Sequence, residues 1–324
     1  MTNARGDEAK LLARQQAAFG TAEASAAGAF MALPFYSYNV SQSEDRTEDD
    51  AIYGDAFPGD SVQGLRSLSG AMVVPIGINS FGWHLRSILG APVTTGADPN
   101  YEHVFTPKAQ PVIPVLTHGI SHTRIGTHFV QDSLTCTSLE IAARKDGQRA
   151  RATLNMMGRS EAKLGAVIDS APILYEPDAV PVGFQGRALV GGAPVAEITG
   201  VDLTLTSGVE MDQETLNQSP SAAGFESPRW GLSGSVSARY RDNTWYDYGA
   251  NNTAVNLQLE LLISATKSLL IDMPDVRFEM TGIPIEGRGP ISAQFNWRAE
   301  RPAPGVELAT ITLKNQTADY ANPA

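Results

Sequence analysis

The sequence predicts a mainly β protein in which one fold is used twice, each copy with one flanking α-helix. Three observations predict it. Strand-like runs with alternating or continuous apolar residues recur along most of the chain. Helical patterns are few. One stretch of the pattern also returns at a fixed distance.

In chain order, Lys10–Phe19 reads as a short helix or an arm. Phe35–Val40 is the first strand-like run, and the acidic segment Gln42–Asp50 follows it with Glu44, Asp45, Glu48, Asp49 and Asp50. Leu68–Ile76 (LSGAMVVPI) is apolar and β-branched. Phe81–Leu89 sets Phe81, Leu85, Ile88 and Leu89 on one helical face, with Asn79 or Ser80 to cap it and Gly90 to end it. Ala91–Pro114 carries five prolines and reads as an extended surface loop. Thr135–Ala143 and Gln148–Met157 flank Lys145-Asp146-Gly147, a hairpin signal whose tip is a candidate contact surface. In Val201–Thr206, Val201, Leu203 and Leu205 alternate with polar residues, the pattern of a sheet with one buried face. The second acidic segment, Glu210–Gln218, supplies Glu210, Asp212 and Glu214. Leu232–Tyr240 is another strand. Ala254–Ala265 fits helix and strand periods about equally, and Asn252 or Thr253 as a cap favours helix. Val276–Thr281, Ile291–Arg298 and Leu308–Lys314 complete the strands.

The repeat ties these elements together. Leu68-Ser69-Gly70 leads to Asn79 and Phe81; Leu232-Ser233-Gly234 leads to Asn243 and Trp245, each pair 164 positions apart. A strand and an acidic segment precede both copies. Residues 166–194 are crowded with Pro and Gly and mark a crossover. The expected organisation is an arm at 1–30, a first β domain at 31–165 with the inserted loop 91–114, the linker 166–194, a second β domain at 195–315, and a tail at 316–324.

Composition excludes several functions. The chain has 324 residues and a formal charge of -11, with 18% charged side chains and a single cysteine, Cys136. One cysteine makes no internal disulfide and no multi-cysteine zinc site. The acidic balance opposes a phosphate-gripping nucleic-acid binder. Low charge density fits a surface covered by further copies of the chain. Met1–Gly20 carries Asp7 and Glu8 and has no apolar core of a signal peptide, so cytoplasmic synthesis is expected. No apolar run approaches the ~20 residues of a membrane span, so no membrane partner is expected.

Catalytic signatures are missing. Gly-x-Ser-x-Gly, the phosphate-binding loop and the dinucleotide fingerprint do not occur. His118 and His122, with His128 nearby, could share a strand face as metal ligands, but surface or interface histidines are the simpler reading. The acidic segments lack the order of a calcium loop. Trp230, Tyr240, Trp245, Tyr246 and Tyr248 would suit a sugar platform, which makes a carbohydrate-binding β-sandwich the alternative to a structural protein. No enzyme activity, cofactor or metal is therefore expected.

The ordered set of motifs resembles a known family. Ala13-Arg14-Gln15-Gln16-Ala17-Ala18-Phe19-Gly20-Thr21-Ala22 looks like the opening of the double-length tail tube (major tail) proteins of long-tailed phages. Val62-Gln63-Gly64 leading into Leu68-Ser69-Gly70, then Leu85–Gly90, are similar too. So are Leu270–Phe278, Ile285-Glu286-Gly287-Arg288-Gly289 with Ile291–Trp297, and the closing Ile311–Asn315. The resemblance implies a tail-tube β-barrel or sandwich present twice. It implies a virion protein whose homotrimeric, pseudo-hexameric rings, or alternatively homohexamers, stack into a tube, with a flexible non-contractile tail. Other tail proteins, including the tape measure protein, would be its partners, and genomic DNA would pass without sequence-specific binding. The acidic segments would then be ring-stacking or lumenal. Residues 1–160 carry 15 acidic and 13 basic side chains and residues 161–324 carry 20 and 11, so the excess lies in the second copy.

Overall fold

The computed structural model describes residues 3–52, 54, 56–57, 59–108, 112–175, 178–226, 229–285, 287–301 and 303–323. Met1, Pro111, Pro177, Glu286 and Ala324, which enter the sequence reading, lie outside the described residues.

Apolar alternation sets most of the strands. The first part of the chain forms β1 (Ala9–Gln15), the short β2 (Met31–Ala32) and β3 (Ser37–Tyr38), β4 (Ser41–Glu48) and β5 (Ser61–Pro75). Helix α1 (Phe81–Leu89) follows, then β6 (Val93–Ala97), β7 (Asn100–Phe105), β8 (Leu116–His122), β9 (Thr127–Arg144), β10 (Arg151–Gly158) and β11 (Ser160–Leu164). After β12 (Ile173–Leu174) come β13 (Gly186–Val190), β14 (Ala193–Pro194), β15 (Ile198–Thr206), β16 (Met211–Asp212), β17 (Gly224–Phe225) and β18 (Gly231–Arg239). Helix α2 (Thr244–Ala250) precedes β19 (Val255–Ser264), β20 (Lys267–Phe278), β21 (Ser292–Ala299) and β22 (Thr310–Asn315).

The two halves share one pairing scheme, antiparallel throughout. In the first, β1 pairs β8, β8 pairs β9, β9 pairs β10, β10 pairs β5, and β3 and β4 line the far side of β5. In the second, β13 pairs β19, then β20, β21, β18 and β15 follow in the same order. β11 joins the start of β9, and β22 joins the start of β20. The repeated tripeptide occupies matched sites. Gly70 lies opposite Met156 of β10, and Gly234 lies opposite Trp297 of β21. The strand pairings do not close on themselves among the described residues, so each copy is an open sandwich layer and not a barrel.

The copies are fused through β9. Its second half, Ser138–Arg144, adds to β15 over Gly200–Thr206. Leu139 and Ile141 of β9, Leu203 and Leu205 of β15, and Phe295 and Trp297 of β21 belong to one continuous buried cluster. Apolar burial across the joint stabilises both copies together.

Helix α1 begins where its pattern predicts. Its N-cap residue is anchored to the Pro/Gly-rich crossover: Asp178 accepts the Asn79 N–H at 2.8 Å and the Ser80 hydroxyl at 2.5 Å, while the Phe81 N–H donates to the Gly77 carbonyl. Gly90 ends it at φ 82, a conformation a side chain would disfavour.

Three expectations need correction. Ala254–Ala265 is not helical. Val255, Leu257, Leu259 and Leu261 are buried at every second position of strand β19, and the second helix is α2, which ends at Ala250 before the expected segment begins. Lys10–Phe19 is mostly strand, with Leu11, Leu12 and Ala13 buried in β1. The segment 91–114 is not a plain surface loop: β6 and β7 form a hairpin, and β7 pairs β22 with His103 and Phe105 buried. The tail after Asn315 is docked, with Tyr320 buried against α1 and bonded through its hydroxyl to Asn79.

Candidate assembly surface

β5 is twice as long as its β10 partner needs. Leu68–Pro75 pair β10, whereas Ser61–Ser67 pair only β4. The β4–β5 hairpin therefore leaves the sheet as a two-stranded ribbon, and most of its side chains are exposed. Glu44, Asp45 and Glu48 lie on β4, with Asp49 and Asp50 just beyond. Asp49 stays in the hairpin, its N–H donating to the Asp60 carbonyl at 3.1 Å.

The second acidic segment packs at the ribbon's base. β16 and β17 form a two-stranded clip. Asp212 shapes its turn, accepting the Glu214 and Thr215 N–H groups at 3.1 Å and the Thr215 hydroxyl at 2.6 Å. These donors, the Thr215 hydroxyl first, hold its carboxyl below the ordinary value. Arg66 links the two segments. Its N–H donates to the Pro220 carbonyl at 2.8 Å, its carbonyl accepts from Gln213 at 3.3 Å, and its guanidinium meets Glu44 at 2.6 Å. Phe19 packs edge-on against Phe225, which ties the chain's start to the same clip.

This end of the molecule is also apolar. Ile52 is 98% exposed, Phe57 81% and Leu216 100%, beside exposed Val62 and Leu65. Large apolar side chains left exposed on these acidic segments are unfavourable in water and favour contact with another surface.

A family model described as phage tail tube protein matches residues 6–299. The chain belongs to that family. It is a structural tail tube protein, a component of the phage tail. No curated protein matches the chain.

Within this tail tube protein the other sequence candidates lie apart. His118 is buried, with Nδ1 2.9 Å from the Tyr38 hydroxyl, while His128 meets Ser121 at 3.0 Å and His122 packs on Phe129. Among the described residues no three His, Cys, Asp or Glu side chains gather as metal ligands. The supposed sugar platform is split. Trp245 is buried against Phe278 and Phe295, and Trp230 donates to the Lys108 carbonyl at 3.0 Å. Cys136 is fully buried, and burial pushes its thiol up to about 12. The Lys145-Asp146-Gly147 tip is held against the crossover: Gly183 and Phe184 donate to the Gln148 and Asp146 carbonyls. No described helix is long and apolar enough to cross a membrane.

Sequence reasoning found both acidic segments but missed their junction at Arg66, Gln213 and Pro220. The available signal was the set of isolated apolar residues, Ile52, Phe57 and Leu216, inside otherwise polar stretches.

Proposed function

We propose that this tail tube protein assembles into rings that stack into a hollow tube, and that the ribbon and the clip form the contact between rings or face the lumen. The observation that carries the reading is the meeting of the two acidic, apolar-tipped segments at Arg66 on one end of the molecule. A duplicated fold supports homotrimeric rings with pseudo-sixfold symmetry over homohexamers. Residues 31–165 and 195–315 would be the two ring units, and 166–194 the crossover between them. Residues 1–30 and 316–324 flank them. The tape measure protein would occupy the tube before the genome. A wall rich in carboxylates repels phosphates and lets DNA pass without sticking.

Charge reversal tests this. Replacing Glu44, Asp45, Glu48 and Asp49 by Lys together is expected to abolish tubes in negative-stain images, or to leave tubes that do not deliver DNA. Normal tubes with normal infectivity refute the assignment.

A further inference from the structure

Resting on the ring reading, we propose that Tyr38, Gln131 and Glu161, with His118 behind them, are positioning residues that aim the acidic ribbon for assembly. They form a buried hydrogen-bond chain that ends on the root of the ribbon.

The chain has one allowed proton arrangement. Gln131 is 1% exposed, and its Nε2 gives one proton to the Val40 carbonyl at 3.0 Å and one to the Glu161 carboxylate at 2.7 Å. Its Oε1 only accepts, so the Tyr38 hydroxyl donates to it at 2.5 Å. The hydroxyl oxygen, having given its proton away, accepts from His118 Nδ1 at 2.9 Å. His118 is thereby fixed as the tautomer with its proton on Nδ1. Burial, and after it the Glu161 charge, raises the Tyr38 hydroxyl well above its ordinary value, so it stays a donor. The chain meets the ribbon's root twice. One contact is the Val40 carbonyl; the other is Gln42, whose Oε1 accepts the Glu161 N–H at 2.7 Å. A buried polar network with its donors all used specifies one geometry.

The second copy holds the same edge with backbone. Leu205 faces Leu232 as Gln42 faces Leu68, and β15 is held on its other side by β9 from Gly200 to Thr206. β3 and β4 pair only β5 among the described residues. Side chains from β9 and β11 take the place of that second backbone neighbour, and a glutamine stands where the second copy has a leucine.

The place of these bonds gives them leverage. Gln42 and Glu44 are half-buried and alternate with exposed Ser41 and Ser43, so they share one face of β4. Glu161 holds Gln42, and Arg66, itself bonded to the clip, holds Glu44. One anchor comes from the first copy and its neighbour from the second. Beyond them Asp45–Asp50 is exposed throughout, and the register of β4 with β5 shifts between Glu44 and Arg46. That stretch extends about 20 Å at ~3.3 Å per residue, so a small turn at Gln42 displaces its far end by several ångströms. The direction of the acidic tip is therefore set at Gln42 and Glu44.

The test uses the full chain with Tyr38→Phe and Gln131→Leu together, which removes the centre of the network. Amides of Asn39–Glu44 in the monomer are expected to exchange ~10-fold faster, and tubes to need ~10-fold more protein. Glu161→Leu should move both readouts in the same direction, whereas Glu161→Gln, which still offers Gln131 an oxygen, should move neither. This second comparison decides if the paired variant fails to fold. Phe295→Ala, in the core of the second copy, controls for loss of stability alone. Unchanged exchange or an unchanged tube threshold in the paired variant overturns the proposal. So does a Glu161→Gln chain that behaves like Glu161→Leu, or a Phe295→Ala chain whose threshold rises as far. In each of these cases tubes still form and the ring reading stands. An unsubstituted chain that forms no tubes at any concentration overturns the ring reading, and the proposal with it.

Discussion

β9 and β20 hold the same place in the two copies, yet β9 runs for 18 residues and β20 for 12. The difference lies in the neighbours. β9 is flanked by β10 as far as Ile141 and by β15 as far as Arg144, while β20 loses its outer partner after Phe278. A strand ends where its hydrogen-bond partners end, because an unpaired backbone gains more from water than from extension.

The largest test of this comparison concerns the core that both copies share. Phe295 of β21 and Leu154 of β10 face Val236 and Met72, their equivalent neighbours in β18 and β5, and both are buried. Truncating Phe295 to Ala is expected to cost about 3–5 kcal/mol, and Leu154→Ala about 2–5 kcal/mol. Both should lower one common unfolding transition measured by urea titration. Two separated transitions would break the single-core reading and make the copies independent domains.

Acid sharpens the contrast, because the five histidines all lie in the first copy. Burial, with His84 nearby, lowers His118 to about 3, and burial lowers His84 to about 4. Their unfolded forms bind protons below about pH 6.5 and their folded forms do not. Stability from this source is therefore full above that pH and declines as pH falls toward the folded values. Asp169 adds a second limb. Burial works to raise its carboxyl, but N–H groups of Phe30, Ala171, Gly28 and Ala29 outweigh it and hold it low. Its contribution is present above about pH 4 and lost as pH drops through the folded value. Asp169→Asn is expected to cost about 1–3 kcal/mol at neutral pH. It should flatten the steepest part of the acid unfolding curve below pH 4, leaving the histidine limb. An unchanged curve would remove Asp169 from this role.

The smallest effect on the monomer belongs to Arg66→Ala. Its pair with Glu44 is partly exposed, worth under about 1 kcal/mol. Monomer melting should hardly move, while the protein concentration needed for tubes rises. An unchanged threshold would mean that the ribbon and clip act separately.

Much of this was legible in the residues. Alternation located β15, β18, β21 and β22, and the Leu-Ser-Gly repeat located the matched strands β5 and β18. Both acidic segments were placed, but not their contact, because Arg66 reaches Pro220 across a distance no local pattern encodes. β19 was misread because its leucines satisfy two periods. Asn252 looked like a helix start, yet it sits at φ 48 just after α2, where the left-handed turn ends a helix. The β6–β7 hairpin was hidden by prolines that flank its strands. Nothing local signals that β7 finds its partner in β22, some 200 residues away.

Tyr320 and its neighbours set the order in which the chain can finish folding. The ring of Tyr320 covers α1 so closely that a side chain at Gly82 would meet it at 2.1 Å. Asn315 donates to the Ile78 carbonyl at 2.7 Å, and Asn322 exchanges two bonds with Gln15 of β1. The first copy is thus closed by a segment that follows the second copy in the chain, and its core is complete only once that segment has docked.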